Sequence, residues 1–292
     1  MLTLTTVDLQ YARRVAVRAA EGAGRLMRDR ACRGGPVAMR RKDLSGDVVS
    51  ELDVAAERLI VGELQAAFPG HRVIAEEGGT SGADDDRWTW LVDPLDGTNN
   101  VAIGLSAYVV GIALCADRRP VVGVVHDPVC RQTWSTVRGR GVLLDDTAPP
   151  PRRQRVGGPP VLAWTQGHSV RRDDPTARSL KLVLESAARR VLQLWAPLLS
   201  WVMLARGDID GIVGYEPESI DQPAGLLLAR EAGMAIRRLD GSDFDDRFDA
   251  SPAGRSFVAG PPESIERLVK LAAAAQWIEA DVRRLNLSEQ YG

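Results

Sequence analysis

Apolar side chains recur every three to four positions in two stretches of the sequence, a period that predicts amphipathic helices. The first helix is expected from about Val7 to Arg30, where arginines separate the apolar positions. The second is expected within RRKDLSGDVVSELDVAAERLIVGELQAAFPG, from the apolar Val54, Leu59, Ile60 and Leu64, and Pro69-Gly70 are typical of its end. This part of the chain is therefore predicted to be mainly helical.

Short apolar runs between turn residues follow, and they predict strands. HRVIAEEGG is expected to form a short strand that enters a glycine turn. WTWLVDPLDG predicts a buried strand broken by Pro94 and Gly97. The segments AYVVGIALCADRRPVVGVVHDP and RQTWSTVRGRGVLL predict further strands of a largely antiparallel sheet.

The segment APPPRRQRVGGPP, residues 148–160, interrupts this pattern with proline and glycine. We interpret it as the connection between an N-terminal α+β part, residues 1–147, and a C-terminal α/β part, residues 161–292. Beyond it, strands and helices alternate from VLAW to a closing helix in PPESIERLVKLAAAAQWIEADVRRL. That alternation predicts a layered α/β arrangement.

Composition and charge narrow the class of protein. The 292 residues are 45% hydrophobic and 26% charged, the balance of a globular chain. Lys and Arg number 37 against 39 Asp and Glu, so the chain lacks the basic excess of nucleic-acid-binding proteins. Three cysteines without a CxxC pair argue against a disulfide framework and fit a reducing cytoplasm. No apolar stretch is long enough to predict a membrane span.

Carboxylates cluster in four segments, GDVVSELD, AEEGG, DPLDGTNN and ESIDQPAG. In the third, an apolar strand delivers Asp93, Asp96 follows three residues later, and Gly97 permits a tight turn. Such a loop can aim both carboxylates and the Leu95 carbonyl at one point, and these are the oxygen donors that Mg²⁺ prefers. Thr98 would open a short helical turn whose free amides form an anion site. The alternative is that both aspartates only cap a helix or fill a turn.

The order and spacing of AEEGG, WLVDPLDGTNN and the later D-x-x-A-G stretch resemble the inositol monophosphatase superfamily. These magnesium-dependent, lithium-sensitive phosphatases include fructose bisphosphatases and 3′-phosphoadenosine phosphatases. The resemblance extends from RKDLSGDVVSELD to LLLAREAGM. It implies an α+β fold, the layered α-β-α-β-α sandwich of the inositol monophosphatase and fructose-1,6-bisphosphatase type. It also implies a homodimer.

The resemblance further implies two or three Mg²⁺ ions held by residues of both halves of the chain. In the family, the matching positions bridge two ions, complete the second site or ligate through a backbone carbonyl. The implied ligands are Glu76, Asp93, Leu95 through its carbonyl, Asp96 and Asp221.

Catalytic roles also follow from the resemblance. Asp53, with the Thr98 hydroxyl, would orient the nucleophilic water and accept its proton, and Glu76 belongs to the same catalytic group. The backbone amides of Gly97 and Thr98 would hold the phosphate. Lys42 matches a basic position before the Asp53 segment.

The substrate-binding half departs from the family pattern. Trp195-Ala196 stands where the family carries Gly-Ser, Ile220 replaces the Trp before Asp221, and Gly214 replaces a glutamate that contacts inositol hydroxyls. GRGVLLDD likewise replaces the usual G-x-G-A-x-x-N segment. These changes remove the groups that would bind an inositol ring. Asp221 and Glu216 are the predicted substrate-binding side chains. The further candidates for specificity are Glu218, His168, Arg171 and Arg172.

Two tryptophans need an interpretation of their own. Trp195 and Trp201 are expected to lie in the core rather than to form a cofactor platform. Trp195 in place of a glycine would otherwise shrink the pocket or offer a stacking face.

The leading hypothesis is a Mg²⁺-dependent phosphomonoesterase that hydrolyses a small sugar, cyclitol, histidinol or nucleotide phosphate by direct attack of metal-activated water. One alternative is a 3′(2′),5′-bisphosphate nucleotidase or fructose bisphosphatase, which needs a second cationic pocket from Arg171, Arg172 or Arg190. Another is a non-catalytic binding or regulatory protein of the family. The expected partners are a small phosphate ester and a second copy of the chain, with no nucleic-acid polymer and no membrane.

Overall fold

Helices and strands alternate in five layers. The computed structural model describes residues 8–33, 38–41, 48–84, 87–153 and 157–284. The helices are α1 Leu9–Arg33, α2 Glu51–Ala67, α3 Thr98–Ala102, α4 Pro175–Ala187, α5 Pro197–Arg206, α6 Pro223–Glu231 and α7 Pro262–Arg284. None of the helices in these residues is both long and apolar enough to cross a membrane.

Two large sheets supply the second and fourth layers. The strands are β1 Met39–Arg41, β2 Val48–Ser50, β3 Arg72–Ala75, β4 Gly79–Gly82, β5 Trp88–Asp96, β6 Val109–Ala116, β7 Arg119–Asp127, β8 Gln132–Val137, β9 Val142–Leu144, β10 Val161–Gln166, β11 Arg190–Leu192, β12 Gly211–Tyr215, β13 Ala235–Arg237 and β14 Phe257–Gly260. A seven-stranded sheet has the order β4-β3-β5-β6-β7-β8-β9, and a five-stranded sheet has the order β11-β10-β12-β14-β13. β1 and β2 form a small antiparallel pair.

Apolar packing orders the layers. Helices α1 and α2 cover one face of the seven-stranded sheet, and their core includes Ile60 and Trp90. Helices α5 and α6 lie between the two sheets, with Leu198 against the first sheet and Trp201 against the second. Helices α4 and α7 cover the outer face of the five-stranded sheet around Leu180. The order is therefore α-β-α-β-α, as the family resemblance implies.

Most of the predicted elements are confirmed. The first two helices lie where their apolar period placed them, and β5 to β9 are antiparallel neighbours. The β3–β5 pair is parallel, and β13 had no prediction because its three residues are too short for a recognisable period. The seven-stranded sheet uses residues before 148–160 and the five-stranded sheet uses residues after it. The division into two parts at this segment stays a prediction.

Strand β5 does not stop at Pro94 as the sequence suggested. It continues to Asp96, and its register against β6 shifts between Asp93, which faces Gly111, and Asp96, which faces Val109. Proline has no amide hydrogen for the ladder, and a β-bulge accommodates it by leaving one residue unpaired. The predicted break at Pro94 is therefore a bulge within the strand rather than its end, whereas the predicted end at Gly97 is confirmed.

A buried carboxylate ties three elements together near residue 246. The side chain of Asp246 is 1% exposed and accepts from Arg138 at 2.8 Å and from Arg119, with Arg230 at 3.4 Å. Burial pushes the pKa of Asp246 up, but the hydrogen bonds and charges of these arginines outweigh it and hold the pKa below its ordinary value. The cluster joins β7, β8 and α6.

Replacing Asp246 with asparagine is expected to lower the free energy of unfolding by about 2–3 kcal/mol, because the partly exposed arginines lose their shared anion. Urea unfolding measures the change. The matched control is Asp249→Asn, which removes an exposed pair with Arg118 and is expected to cost under about 1 kcal/mol. Equal losses of unfolding free energy in the two variants would show that the Asp246 cluster stabilises the fold no more than an exposed ion pair does.

His126 is the most strongly shifted histidine in the described residues. The Thr133 hydroxyl donates to Glu21 at 3.1 Å and so accepts from His126 Nδ1 at 2.9 Å. His126 Nε2 is buried, has no hydrogen-bond partner among the described residues, and lies where a side chain on Gly24 would collide with it. Burial lowers the pKa of His126 to about 4, so the folded protein holds the neutral imidazole.

The unfolded chain therefore binds a proton at His126 at a higher pH than the folded protein does. The stability from this group is complete above about pH 6.5 and is lost as the pH falls toward 4, by at most about 1.4 kcal/mol per pH unit. Urea unfolding at several pH values should show a steeper acid loss in the wild type than in His126→Gln. The exposed His168→Gln is the control and should keep the wild-type slope; parallel slopes in all three proteins would contradict the assignment.

Candidate active site

A cleft of about 1320 Å³ opens where the two sheets meet. Its first wall is the turn after β3 together with the end of β5 and the start of α3, with Glu76, Asp93 and Asp96. Asp221, just before α6, adds a fourth carboxylate. Its second wall comes from the loop after β10 and the first turns of α4. Both sheets thus supply residues to one cavity.

The bulge in β5 and the start of α5 hold the two central aspartates. Asp93 and Asp96 are 3% and 5% exposed. The Leu95 amide donates to Asp93 Oδ1 at 3.1 Å, and the Leu198 amide donates to Asp96 Oδ2 at 2.7 Å. Leu198 lies in the first turn of α5, whose unpaired amides and dipole favour a negative charge.

Burial dominates the electrostatics of this pair. It raises the pKa of Asp93 well above its ordinary value, and the charges of Glu76, Asp96, Asp221 and Asp53 raise it further. The pKa of Asp96 is raised in the same way by burial and Asp221, against the lowering effect of the α5 amides. In the described part of the chain, neither aspartate forms an ion pair with Arg, Lys or His. Within the described residues, the buried Asp93 and Asp96 therefore concentrate negative charge with no cationic side chain paired to them.

The donor set fits a hard divalent cation. It consists of carboxylates and the Leu95 carbonyl, the oxygen ligands of Mg²⁺, without sulfur or imidazole. Among the described residues, no three Asp, Glu, His or Cys side chains are already grouped around one point. An ion bound there would reduce the mutual repulsion of the carboxylates.

Asp53 lies behind the cleft wall and is completely buried. Ser50 caps α2, and its amide donates to Asp53 Oδ2 at 2.8 Å while its hydroxyl contacts the same oxygen. The Thr98 hydroxyl lies 2.7 Å from Asp53 Oδ1 and 3.0 Å from the Leu95 carbonyl oxygen. Burial raises the pKa of Asp53, and the Ser50 and Thr98 hydrogen bonds oppose that rise. Asp53 is thus linked to the cleft by its hydrogen bond with the Thr98 hydroxyl.

Gly97 makes the turn between β5 and α3. Its φ is 108°, and a Cβ at this position would lie 2.7 Å from the Ala107 carbonyl oxygen. The side-chain amide of Asn100 donates to that same carbonyl at 2.6 Å and also to the Leu194 carbonyl. The expected helical turn after Gly97 is confirmed as α3. Asn100 links this turn to the loop that carries Trp195.

Most of the predicted site residues meet at the cleft. They are Glu76, Asp93, Leu95, Asp96, Gly97, Thr98 and Asp221. Glu216 is not among the lining residues: its φ is 46° and its amide binds the Ser256 hydroxyl at 3.0 Å, whereas Glu218 lines the cleft. Substrate binding by Glu216 stays a prediction, and Glu218 is better placed. Lys42 lies outside the described residues.

The two tryptophans have different environments. Trp201 is completely buried, as expected. Trp195 is 55% exposed, lines the cleft and has a φ of 49°, so its assignment to the core was wrong. A positive φ is unusual for a bulky residue and is found mainly where function requires it.

Sequence reasoning missed two further groups. Glu57 Oε2 accepts from the Glu77 amide at 2.7 Å and so positions the turn that carries Glu76. Lys181 and Arg178 line the second wall of the cleft from α4. Their place on one helical face was available from the sequence, but the orientation of that face was not.

A family model described as the inositol monophosphatase family matches residues 8–277. The chain belongs to the inositol monophosphatase family. It is a phosphomonoesterase, and its family is generally metal-dependent.

Curated relatives and solved structures agree with this membership. The chain is 34% identical over 201 residues to an inositol-1-monophosphatase of Mesorhizobium japonicum, covering 67% of this chain and 74% of the relative. It is 32% identical over 219 residues to the Nus factor SuhB of Xylella fastidiosa, covering 73% and 77%. The extragenic suppressor protein suhB of Bartonella henselae superimposes with a TM-score of 0.78 at 26% identity, covering 90% of this chain and 98% of that one.

Gly97→Ala is expected to cost about 1–3 kcal/mol more stability than Gly104→Ala and to reduce phosphate release. Both glycines have a positive φ, but a Cβ on Gly104 meets no atom within 4 Å. The pair therefore separates the cost of the backbone conformation from the collision with Ala107. Urea unfolding and phosphate release measure the two effects; equal losses in both variants would remove the steric role of Gly97.

Proposed function

We propose that the chain is a Mg²⁺-dependent phosphatase that hydrolyses a small phosphorylated metabolite by direct attack of water. The observation that carries this proposal is the buried Asp93–Asp96 pair, which has no cationic side-chain partner among the described residues and lies beside the Thr98–Asp53 contact. A purely structural carboxylate pair in such a place would be expected to have an arginine or lysine partner.

Residues of both sheets would hold the metal. Asp93, Asp96 and the Leu95 carbonyl come from the β5 bulge, Glu76 from the turn after β3, and Asp221 from the turn before α6. When bound, two or three Mg²⁺ ions would neutralise phosphate oxygens, acidify a water molecule and stabilise the leaving alkoxide.

Thr98 and Asp53 would take up the proton that the attacking water loses. The Thr98 hydroxyl has one hydrogen, and the carboxylate oxygen at 2.7 Å is a stronger acceptor than the Leu95 carbonyl at 3.0 Å. Thr98 Oγ1 therefore keeps its lone pairs and, since Thr98 lines the cleft, could accept a hydrogen bond from water there. The proton would pass through Thr98 to Asp53 Oδ1, whose raised pKa makes it a better base than an exposed aspartate.

The turn at Gly97 would orient the ester. The absence of a side chain there lets the substrate approach the backbone, and the amides of Gly97 and Thr98 would donate to phosphate oxygens. Homodimer formation and a cytoplasmic location are part of the same proposal and rest on the family resemblance.

The test is release of inorganic phosphate from a panel of phosphate esters, with and without Mg²⁺. Asp93→Asn should lower kcat/KM by more than about 100-fold, because one ligand charge is lost from a site that stabilises the transition state. The matched control is Asp117→Asn, on the exposed β6–β7 turn at the far end of the sheet, and it should keep wild-type activity.

Thermal unfolding supplies a second measurement that needs no substrate. Saturating Mg²⁺ should raise the Tm of the wild type and of Asp117→Asn, by the equivalent of about 2.7 kcal/mol at one hundred times Kd. Asp93→Asn should lose most of this shift. Phosphate release that is independent of Mg²⁺, or equal behaviour of the two variants, would overturn the proposal.

A further inference from the structure

The second wall of the cleft is cationic, in contrast to the acidic first wall. Its basic side chains come from the loop after β10 and from α4; they are His168, Arg171, Arg172, Arg178 and Lys181. The cleft volume of about 1320 Å³ exceeds the roughly 300–1,000 Å³ of most small-molecule pockets. It therefore has room for more than the scissile phosphate and a small alcohol.

Strand pairing fixes the position of this wall. β10 and β12 are parallel neighbours, so the loops at their carboxyl ends meet at one edge of the sheet, where ligands of open α/β sheets bind. The His168 amide donates to Glu218 at 3.0 Å, and the Gly167 amide donates to the Tyr215 carbonyl at 3.2 Å. A Cβ on Gly167 would lie 2.2 Å from the Glu216 carbonyl oxygen. The β10 loop is thus held closely against the β12 loop.

Lys181 lines the cationic wall of the cleft from α4. It lies one turn after Arg178 on the same face of α4, and its Nζ is 5.3 Å from the centre of the Trp164 ring. It is half-buried, and burial lowers the pKa of its ammonium group, with the Glu185 charge acting in the opposite direction. Within the described residues, Lys181 has neither a hydrogen-bond acceptor nor an ion-pair partner.

Arg171 and Arg172 differ in whether another side chain already pairs with them. Arg171 makes two 2.8 Å contacts with Asp173 and is therefore engaged in an ion pair. Arg172 is exposed at the cleft, and no described side chain pairs with it. Like charges in one wall repel each other, and an anion between them would relieve that repulsion.

We propose that Lys181 and Arg172 form a subsite for a second anionic group of the substrate. The substrate class is then a metabolite that carries a phosphate or a carboxylate in addition to the scissile phosphate. The acidic wall with its metal ions holds the scissile group, and the cationic wall holds the other one. Arginine and lysine are the usual ligands of such groups. This inference rests on the proposed function.

The first experiment compares matched substrates that differ by one anionic group. Fructose 6-phosphate is paired with fructose 1,6-bisphosphate, and glycerol 3-phosphate is paired with 3-phosphoglycerate, so that the pairs separate phosphate from carboxylate. The wild type should prefer the doubly anionic member of at least one pair. In Lys181→Gln the ratio of kcat/KM within that pair should fall about 10- to 100-fold, mainly through KM.

Two variants make this result specific. Lys181→Arg keeps the charge and should restore most of the ratio. Lys270→Gln removes an exposed lysine on α7, away from the cleft, and should keep the wild-type ratio. Equal kcat/KM within both pairs for the wild type, or an unchanged ratio in Lys181→Gln, would overturn the subsite.

A footprint tests the subsite without turnover. An alkane-1,4-bisphosphonate has P–C bonds that a phosphomonoesterase cannot cleave, and the matching monophosphonate lacks the second anion. In the presence of Mg²⁺, the bisphosphonate should slow acylation of Lys181, measured by mass spectrometry, more than the monophosphonate does. Lys270 is the internal reference. Equal protection by the two compounds would overturn the subsite, whereas absence of Mg²⁺-dependent turnover on every ester would overturn the proposed function instead.

Discussion

Burial of negative charge at Asp93 and Asp96 is the constraint on which the rest of the site depends. Two carboxylates away from water repel each other and favour protonation unless donors or cations compensate them. The fold supplies amide hydrogens for each: the bulge turns the Leu95 amide back to Asp93, and α5 begins with the Leu198 amide on Asp96. These amides do not neutralise the two carboxylates, and the family is generally metal-dependent; a bound metal ion would supply the remaining positive charge.

The layered architecture explains why this compensation is possible. Helix α5 packs between the two sheets, with Leu198 against the first and Trp201 against the second. Its first turn is thereby fixed at the edge where β5 ends. The turn that carries Asp221 precedes α6 in the same central layer. Carboxylates from distant parts of the sequence are thus brought to one cleft by helices that pack on both sheets.

The carboxylates that the sequence singled out lie at one cleft, and their signals in the sequence are local. The Asp-Pro-Leu-Asp-Gly spacing and the capped start of α2 place Asp93, Asp96 and Asp53 within a few residues of an element end. The cationic wall was harder to predict, since the inward face of α4 depends on how that helix packs on Trp164. Glu218 lines the cleft and Glu216 does not, and the positive φ of Glu216 is a backbone feature that composition and periodicity do not encode.

The backbone at Trp195 is connected to the turn at Gly97 through hydrogen bonds of one side chain. This strained backbone follows the Leu194 carbonyl, which the Asn100 side chain holds, and the same amide group holds Ala107 against the Gly97 turn. Asn100 therefore links the backbone beside the exposed Trp195 ring to the loop that follows Asp96. Displacement of the backbone at Trp195 would therefore be transmitted through Asn100 to the turn at Gly97.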